Sequence, residues 1–186
     1  MSRAISHLTL EELEAGLEEI RQSPRDAGVL RLIVRRPHVN ERDVLEEGAF
    51  DTIEGLIGDS WSRRSSTRSK DGSAHPDMQL NVINARAIAL IAGPPERWAL
   101  AGDQLYIDLD LSDANVPPGT RLALGSAIIQ ITEQPHTGCV KFSSRFGADA
   151  TKFVNSTEGK RLRLRGVNAK VVQPGVARVG DLVRKV

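Results

Sequence analysis

Residues 121–132 have the sequence Arg-Leu-Ala-Leu-Gly-Ser-Ala-Ile-Ile-Gln-Ile-Thr, and this stretch decides the fold class. Apolar and β-branched residues lie on both sides of Gly125, which is the pattern of two short strands around a turn. Pro117-Pro118-Gly119 provides a second turn signal immediately upstream. We therefore predict two strands here, separated by Gly125.

The segments around this pair repeat the same pattern. Residues 105–111 alternate apolar and polar side chains, residues 160–165 alternate basic residues with leucine, and residues 167–172 and 181–186 lie next to glycine turns. Short strands at this spacing predict a small barrel or a sandwich, and not a parallel α/β sheet. The predicted fold class is mainly β with a few helices.

The first half of the chain contains most of the predicted helices. A Thr-Leu-Glu-Glu capping box at residues 9–12 begins a helix predicted over residues 10–22. A stretch rich in β-branched residues predicts a strand over residues 29–35. Further helices are predicted, the first only weakly, over residues 43–57, 84–92 and 147–154. We predict an N-terminal helical extension, residues 1–28, packed on a barrel domain, residues 29–186.

Composition excludes several classes of protein. The 186 residues are 40% hydrophobic and 26% charged, with a net charge of +1, which is typical of one globular domain and not of a disordered chain. A single cysteine excludes an intramolecular disulfide. No stretch approaches the roughly 18 apolar residues of a membrane span, and residues 1–16 lack the apolar core of a signal peptide. We expect a cytoplasmic protein with no membrane or nucleic-acid partner.

The charge is unevenly distributed along the chain. Residues 140–186 contain 11 lysines or arginines and three acids, a local balance of +8, whereas residues 1–139 carry a balance of −7. A basic sheet face exposed to solvent would explain this segment. A site for an anion, such as a phosphate-bearing small molecule, would explain it equally well.

Cys139 lies in the segment Pro-His-Thr-Gly-Cys-Val-Lys, residues 135–141. A lone cysteine can be a small buried apolar residue. Alternatively, Gly138 permits close approach of a ligand, and His136 and Lys141 favour a thiolate. A thiolate can attack an electrophile, carry a transferable sulfur or bind a soft metal. No CxxC or HxxxH accompanies it, which argues against structural zinc, and the position of His136 argues against a protease-like Cys–His pair.

Two weaker candidates lie elsewhere. Gly55-Leu-Ile-Gly58-Asp59, followed by Arg63 and Arg64, has the glycines and charge of an anion-binding loop, although no GKS or GKT follows it. A solvated loop explains it too. The polar residues 61–75 form a loop longer than a simple connection needs, so this loop is mobile or functional. The acids Asp108, Asp110 and Asp113 either bind a hard cation or face solvent.

Several of these segments, taken in order, resemble the MOSC domain family, named for the C-terminal domain of molybdenum cofactor sulfurases. The resemblance covers residues 29–186 and depends on six segments rather than on any one motif. These are residues 55–59, 102–112, 118–125, 127–132, the His-Thr-Gly-Cys turn at 136–139, and 166–181. The chain looks like the stand-alone bacterial type.

The resemblance implies a small MOSC-type β-barrel in which Cys139 is the functional cysteine. In relatives, this cysteine carries sulfur or binds the molybdenum of a pterin cofactor, and some relatives reduce N-hydroxylated bases or amidoximes. We therefore predict Cys139 as catalytic residue and molybdenum ligand. The candidate cofactor-binding residues are Lys141, Arg145, Arg63 and Arg64. The segment after the cysteine, residues 141–147, differs from that of the larger cofactor-reducing relatives.

The resemblance leaves two classes of function open for Cys139, beside a third possibility, a domain that keeps the barrel and only structural interactions. A molybdenum-cofactor-dependent reductase would need an electron-donor protein, because nothing in the sequence binds flavin, haem or nicotinamide. A non-catalytic sulfur carrier would instead receive sulfur from a cysteine desulfurase, without bound metal. Sulfurases also contain a pyridoxal-phosphate domain, for which this chain has no room, so pyridoxal phosphate is not expected on it.

Overall fold

The computed structural model describes residues 6–186. Its helices are α1 (Leu10–Ala15), α2 (Leu17–Arg21), α3 (Ala85–Ala92), α4 (Val140–Phe146), α5 (Ala148–Asn155) and α6 (Thr157–Arg161). Its strands are β1 (Ala27–Arg35), β2 (Asp43–Leu45), β3 (Glu47–Asp51), β4 (Gly55–Leu56), β5 (Leu80–Asn84), β6 (Leu105–Asp108), β7 (Arg121–Leu124), β8 (Ala127–Ile131), β9 (Val167–Gln173), β10 (Gly175–Arg178) and β11 (Leu182–Lys185). Short 3₁₀ helices lie at Trp61–Arg63, Pro76–Met78 and Pro95–Ala101.

Seven strands form a closed barrel in the order β11-β7-β8-β9-β5-β6-β1, and the pairing of β1 with β11 closes it. The barrel pairs are antiparallel except β5 with β6, which are parallel and joined through α3. Strand β2 adds to β1, and β10, β3 and β4 form a small second sheet. The predicted mainly β barrel is confirmed, and the two strands around Gly125 are β7 and β8.

Two hydrophobic cores stabilise this arrangement. The first fills the barrel with aliphatic side chains such as those of Leu30 and Ile129. The second lies between the barrel and the helices, where Leu13, Ile88 and Phe142 are buried together. Because α4 contributes Phe142 to this second core, its first turn is held in a fixed position. Burial of large apolar side chains is the main favourable term in such packing.

The weak helix predicted over residues 43–57 is wrong, because this segment forms strands β2, β3 and β4. Along β3, buried Gly48 and Phe50 alternate with more exposed neighbours. The strand pairs with β10, which lies more than 120 residues further along the chain. A distant partner of this kind overrides a weak local helical preference, and no local pattern reveals it.

The strand predicted over residues 160–165 is also wrong. Helix α6 occupies the first part of this segment, and the Ser156 hydroxyl caps it by accepting a hydrogen bond from the Gly159 amide. The chain then turns through Arg163, which has a φ of 50°. The alternation of basic residues with leucine therefore reflects burial of Leu164 within a turn, and not a strand.

The helix predicted over residues 10–22 forms, but it is interrupted at Gly16 and ends at Arg21. The side chain of Leu90 on α3 packs where a side chain at position 16 would lie, and glycine has a low helix propensity. Strand β5 and helix α4 were not predicted. Strand β1 begins at Ala27, and the division between residues 1–28 and 29–186 stays a prediction.

Candidate functional site

A cavity of about 320 Å³ opens beside Cys139, where six parts of the chain meet. They are the segment after β1, the loop that contains Arg64, strand β5 at Asn81, the segment before β6, helix α4 with the cysteine before it, and the residue two positions before β9. Cys139 is exposed and immediately precedes α4. The thiol is therefore at a solvent-accessible position on the wall of a cavity, and not in the hydrophobic core.

The wall of this cavity is cationic. Among residues 6–186, its lining includes six lysines or arginines and no aspartate or glutamate: Arg36, Arg42, Arg64, Lys141, Arg145 and Arg165. Three of the four predicted cofactor-binding residues, Lys141, Arg145 and Arg64, thus lie on the same wall as Cys139. The fourth, Arg63, is not among the lining residues and donates a 2.9 Å hydrogen bond to the Pro37 carbonyl.

Arg36 belongs to an inner pair of cations that are held by buried acids. Its Nε and Nη2 donate to the two Asp59 carboxylate oxygens at 2.9 Å, while Nη1 donates to Asn81 Oδ1 and the Gly102 carbonyl. Burial raises the pKa of Asp59, but hydrogen bonds and charge attraction from Arg36 outweigh it, so the net shift of the pKa is downward. Asp59 therefore stays ionised and fixes the Arg36 guanidinium at the cavity wall.

Arg165 is the second inner cation. Its Nη1 donates to both Asp103 oxygens, at 2.9 and 2.8 Å, and its Nη2 donates to the Ala101 carbonyl. The guanidinium carbon also lies 4.9 Å from the centre of the Phe142 ring on α4, within the range of a cation–π contact. Arg165 thus connects the Asp103 carboxylate to the helix that follows Cys139.

The other four cations, Arg42, Arg64, Lys141 and Arg145, form an outer group. Arg42 donates Nε and Nη1 to backbone carbonyls, Arg145 donates Nη1 to the Leu100 carbonyl, and Arg64 donates Nε and Nη2 to the Ser60 hydroxyl. In each of these arginines, at least one other guanidinium nitrogen remains available to a ligand.

Like charges crowd this outer group. The pKa of Arg42 is lowered by burial and then by the positive charges of Arg145 and Arg36. Burial and the charge of Arg36 likewise lower the pKa of Arg64. A bound anion would relieve this repulsion, so the electrostatics of the wall favour a negatively charged ligand.

Gly102 lets two of these cations approach each other. It has a φ of 84°, and a Cβ at this position would lie 3.3 Å from Arg42 Nη2 and 3.6 Å from Arg145 Nη1. A side chain would therefore be strained and would also press on the guanidinium groups. The left-handed backbone and the neighbouring guanidinium groups therefore both favour glycine at position 102, the first residue of the Gly-Asp-Gln-Leu segment of residues 102–105.

We expect Gly102→Ala to lower the free energy of unfolding by about 1–2 kcal/mol, from the left-handed backbone alone. Urea denaturation would measure the loss. Gly119→Ala is a matched control, since Gly119 has a φ of 92° and a Cβ there would have nothing within 4 Å. A larger loss for Gly102→Ala than for the control would measure the additional cost of crowding against Arg42 and Arg145. Equal losses would show that this crowding has no cost.

The position of Cys139 depends on a clamp one residue earlier. The Gly138 amide donates to Asn155 Oδ1 at 2.9 Å, and Asn155 Nδ2 donates to the Gly138 carbonyl at 3.0 Å. A Cβ on Gly138 would lie 2.9 Å from the Val154 side chain. The close approach expected at Gly138 is therefore to helix α5, which fixes the chain just before Cys139.

His136 does not line the cavity of Cys139. It lines a separate cavity, and its Nδ1 lies 3.6 Å from Asp103 Oδ1. Burial, followed by the charges of Arg165, Arg36 and Arg68, lowers the pKa of His136 well below its ordinary value. The imidazole is therefore neutral near pH 7. Because it lines a different cavity, the structure gives no support to the expectation that His136 promotes a thiolate at Cys139.

This shift predicts how stability varies with pH. Because the pKa of His136 is lower in the folded chain than in the unfolded chain, its contribution is fully present above the unfolded value and is lost as pH falls. From pH 7 to pH 5, wild type should lose about 2 kcal/mol more unfolding free energy than His136→Asn. Urea denaturation at several pH values would measure this, with exposed His38→Asn as a control. Equal pH slopes for wild type and His136→Asn would contradict it.

The loop predicted over residues 61–75 is largely irregular beyond its first turn at Trp61–Arg63. It lines a smaller cavity of about 150 Å³ through residues that include Trp61 and His75. This cavity shares Arg36, Arg64 and Asn81 with the cavity of Cys139. The loop therefore borders an extension of the cationic site.

The two weaker candidates from the sequence, residues 55–59 and the acids Asp108, Asp110 and Asp113, mostly have structural roles. Gly55 and Leu56 form strand β4, and of the segment 55–59 only Asp59 contributes to the site, through Arg36. Asp108 and Asp113 form ion pairs with arginines, and Asp110 accepts a hydrogen bond from the Ser112 amide. Within residues 6–186, no group of three or more His, Cys, Asp or Glu side chains could hold a metal ion.

Three of the six cationic cavity residues, Arg36, Arg42 and Arg165, were not predicted. Arg36 follows the last residue of β1, and a basic residue directly before Pro37 is a weak signal by itself. Arg42 lies directly before the segment interpreted as helical, and Arg165 lies in the segment interpreted as a strand. The basic excess of residues 140–186 did indicate an anion site, but it gave no reason to choose Arg165 among 11 basic residues.

Comparison with known proteins agrees with the barrel fold. The MOSC domain family model matches residues 69–184, which is more than half of the chain, and the chain therefore belongs to the MOSC domain family. No curated protein matches the sequence significantly. Among residues 6–186, no helix combines the length and apolar character needed to cross a membrane.

Solved structures share the fold at low sequence identity. The YuaD protein from Bacillus subtilis is 14% identical, with a TM-score of 0.63 over 84% of this chain and 94% of that protein. YiiM from Escherichia coli is 22% identical, with a TM-score of 0.55 over 85% and 69% of the two chains. YiiM from Geobacillus stearothermophilus is 17% identical, with a TM-score of 0.54 over 88% and 74%.

Proposed function

We propose that this MOSC protein binds a molybdenum–pterin cofactor in the cavity of Cys139, with Cys139 as the protein ligand to the metal. One observation carries the proposal: an exposed thiol lies on the wall of a cavity of about 320 Å³ that contains six cationic side chains and no carboxylate. Family membership supports it, because the MOSC family is associated with this cofactor.

The donor set fits such a cofactor. A thiolate is a soft ligand of the kind that suits molybdenum bound to sulfur. No cluster of three metal-ligating side chains exists within residues 6–186, so the metal must bring further ligands, as the dithiolene sulfurs of a pterin do. The phosphate of the pterin needs charged donors, and the crowded outer cations supply them.

The inner and outer cations would have different roles in binding the cofactor. Arg36 and Arg165 are held by Asp59 and Asp103 and keep the positive charge of the wall in place. Arg42, Arg64, Lys141 and Arg145 remain free to orient an anionic group relative to Cys139 Sγ. The bound cofactor would supply two-electron reduction, and an electron-donor protein would have to renew those electrons. N-hydroxylated compounds are the proposed substrate class.

The test is the molybdenum and pterin content of the protein purified from a host that makes the cofactor. Metal analysis and fluorescence of the oxidised pterin should both give a content close to one per chain. Protein from a host that lacks the cofactor pathway is the control. Absence of both components from protein made in the cofactor-producing host would overturn the proposal.

A sulfur carrier is the second candidate, and the exposure of Cys139 favours it. The following residue, Val140, is 85% exposed, so a protein partner can reach the thiol. The Cys139 thiolate would attack the terminal sulfur of a persulfide on a cysteine desulfurase, forming an S–S bond on Cys139 and releasing the desulfurase thiolate. Mass spectrometry after incubation with a cysteine desulfurase and cysteine should then show a gain of one sulfur atom on Cys139. No gain would exclude this candidate.

A further inference from the structure

A second cavity, of about 450 Å³, has no part in the proposed function. It lies between residues 132–137, the end of α5, helix α6 and the turn before β9. Arg165 lines both this cavity and the cavity of Cys139, and it is the only residue common to the two linings within the described residues 6–186. The volume is in the range of small-molecule sites.

Arg165, a residue that lines this cavity, carries a buried donor without an acceptor among residues 6–186. The Arg165 side chain is only 8% exposed, and its Nη1 and Nη2 are taken by Asp103 and the Ala101 carbonyl. Its Nε is buried and has no hydrogen-bond partner within the described part of the chain. A buried donor left unpaired is unfavourable, and an oxygen atom of a ligand in this cavity would satisfy it.

The charges around the cavity specify the sign of that ligand. The lining residues among 6–186 include three cations, Lys160, Arg163 and Arg165, and a single carboxylate, Glu133. Arg163 is committed to Asp113 and to a backbone carbonyl. His136 adds no positive charge near pH 7, because burial lowers its pKa. Lys160, which is exposed, and Arg165 Nε thus remain to receive an anion.

The rest of the wall favours an apolar body on the ligand. Val154 and Val167 are buried lining residues, and Pro135 and two glycines complete this side. Because only one nitrogen of Arg165 is without a partner among residues 6–186, the buried end of the site offers a single fixed charged donor, whereas a phosphate is usually held by several charged hydrogen bonds. One carboxylate oxygen can be held by a single donor of this kind.

We propose that the second cavity binds a small carboxylate with an apolar body, with one carboxylate oxygen accepting from Arg165 Nε and the charge facing Lys160. This site is independent of the role of Cys139.

The test is a titration with 4-fluorobenzoate, followed by ¹⁹F NMR of the purified full chain. We expect saturable binding that weakens about tenfold in Lys160→Gln, a loss equivalent to one charge-assisted contact. Thr137→Trp, at an exposed lining position, should also weaken binding by filling the cavity. Neither substitution alters a buried residue, so both variants should fold.

Two controls make the outcome specific. Lys152→Gln removes the same charge from the neighbouring helix α5, outside the lining, and Lys141→Gln removes it from the other cavity. Both should bind 4-fluorobenzoate like wild type, and uncharged 4-fluorobenzyl alcohol should bind at least several-fold more weakly. The proposal is overturned by absence of saturable binding, by loss in Lys141→Gln alone, or by equal affinity for the alcohol.

Discussion

Cys139→Ser should reduce the molybdenum content of protein from a cofactor-producing host at least about tenfold, since even residues that only support a metal ligand cost 10–100-fold in affinity when replaced. A serine hydroxyl has nearly the shape of the thiol but is a hard and weakly acidic donor, which suits molybdenum poorly. The barrel should be unaffected, because Cys139 is exposed and its side chain makes no cap hydrogen bond to α4.

Val140→Ala provides the matched control for this substitution. Val140 is 85% exposed, adjacent to Cys139, and absent from the cavity lining. Metal analysis and thermal unfolding of wild type and both variants would separate loss of a ligand from loss of structure. A Cys139→Ser protein that retains wild-type molybdenum would show that the metal is bound elsewhere.

Asp103→Ala should produce the largest loss of stability, about 3–5 kcal/mol in the free energy of unfolding. The Asp103 side chain is fully buried and binds Arg165 through both oxygens. Its removal leaves a guanidinium that is 8% exposed without a counter-charge. Urea denaturation would measure the loss.

The control for Asp103→Ala is an exposed ion pair. Glu47 pairs with Arg178 on the surface, where both side chains are well exposed, and Glu47→Ala should cost only about 0–1 kcal/mol. Adding Arg165→Met to Asp103→Ala should recover part of the loss, because no buried charge then remains unpaired. Equal stability of Asp103→Ala and Glu47→Ala would mean that Arg165 does not depend on Asp103.

The barrel could be predicted from sequence because its strands carry local signals. Residues 121–132 alternate around a glycine turn, and their strands β7 and β8 pair with each other. Two of the strands missed or misassigned in the first half have distant partners: β3 pairs with β10, and β5 pairs with β9. Their pattern becomes meaningful only once the partner is known.

The site was partly predictable for a related reason. Lys141 and Arg145 follow Cys139 within the first two turns of α4, so proximity in sequence became proximity in space. Arg36 and Arg165 reach the same wall from distant segments. The buried acids that hold them, Asp59 and Asp103, lie in two of the segments that carried the resemblance, but nothing in the sequence paired them with these arginines. His136, although close to Cys139 in sequence, lines another cavity, because the chain between them is clamped at Gly138 to α5.

The cationic wall also explains why two acids are buried beneath it. Asp59 and Asp103 are each matched to one inner arginine, so the interior beneath the cavity is balanced in charge. The excess positive charge is left on the four outer cations, where solvent or an anion can reach it. This arrangement keeps the site electropositive without leaving an unpaired charge in the core.

We expect Cys139 to react within the positive field of this cavity. The direct measurement is the ratio of alkylation rate constants for anionic iodoacetate and neutral iodoacetamide, in cofactor-free protein and in N-acetylcysteine. We predict a ratio several-fold higher in the protein than in the small thiol, falling with added salt and in Arg42→Gln/Arg145→Gln. The charge-matched Lys152→Gln/Arg184→Gln variant should keep the wild-type ratio. A ratio equal to that of N-acetylcysteine, and insensitive to Arg42 and Arg145, would show that the Cys139 thiol does not react in a positive field.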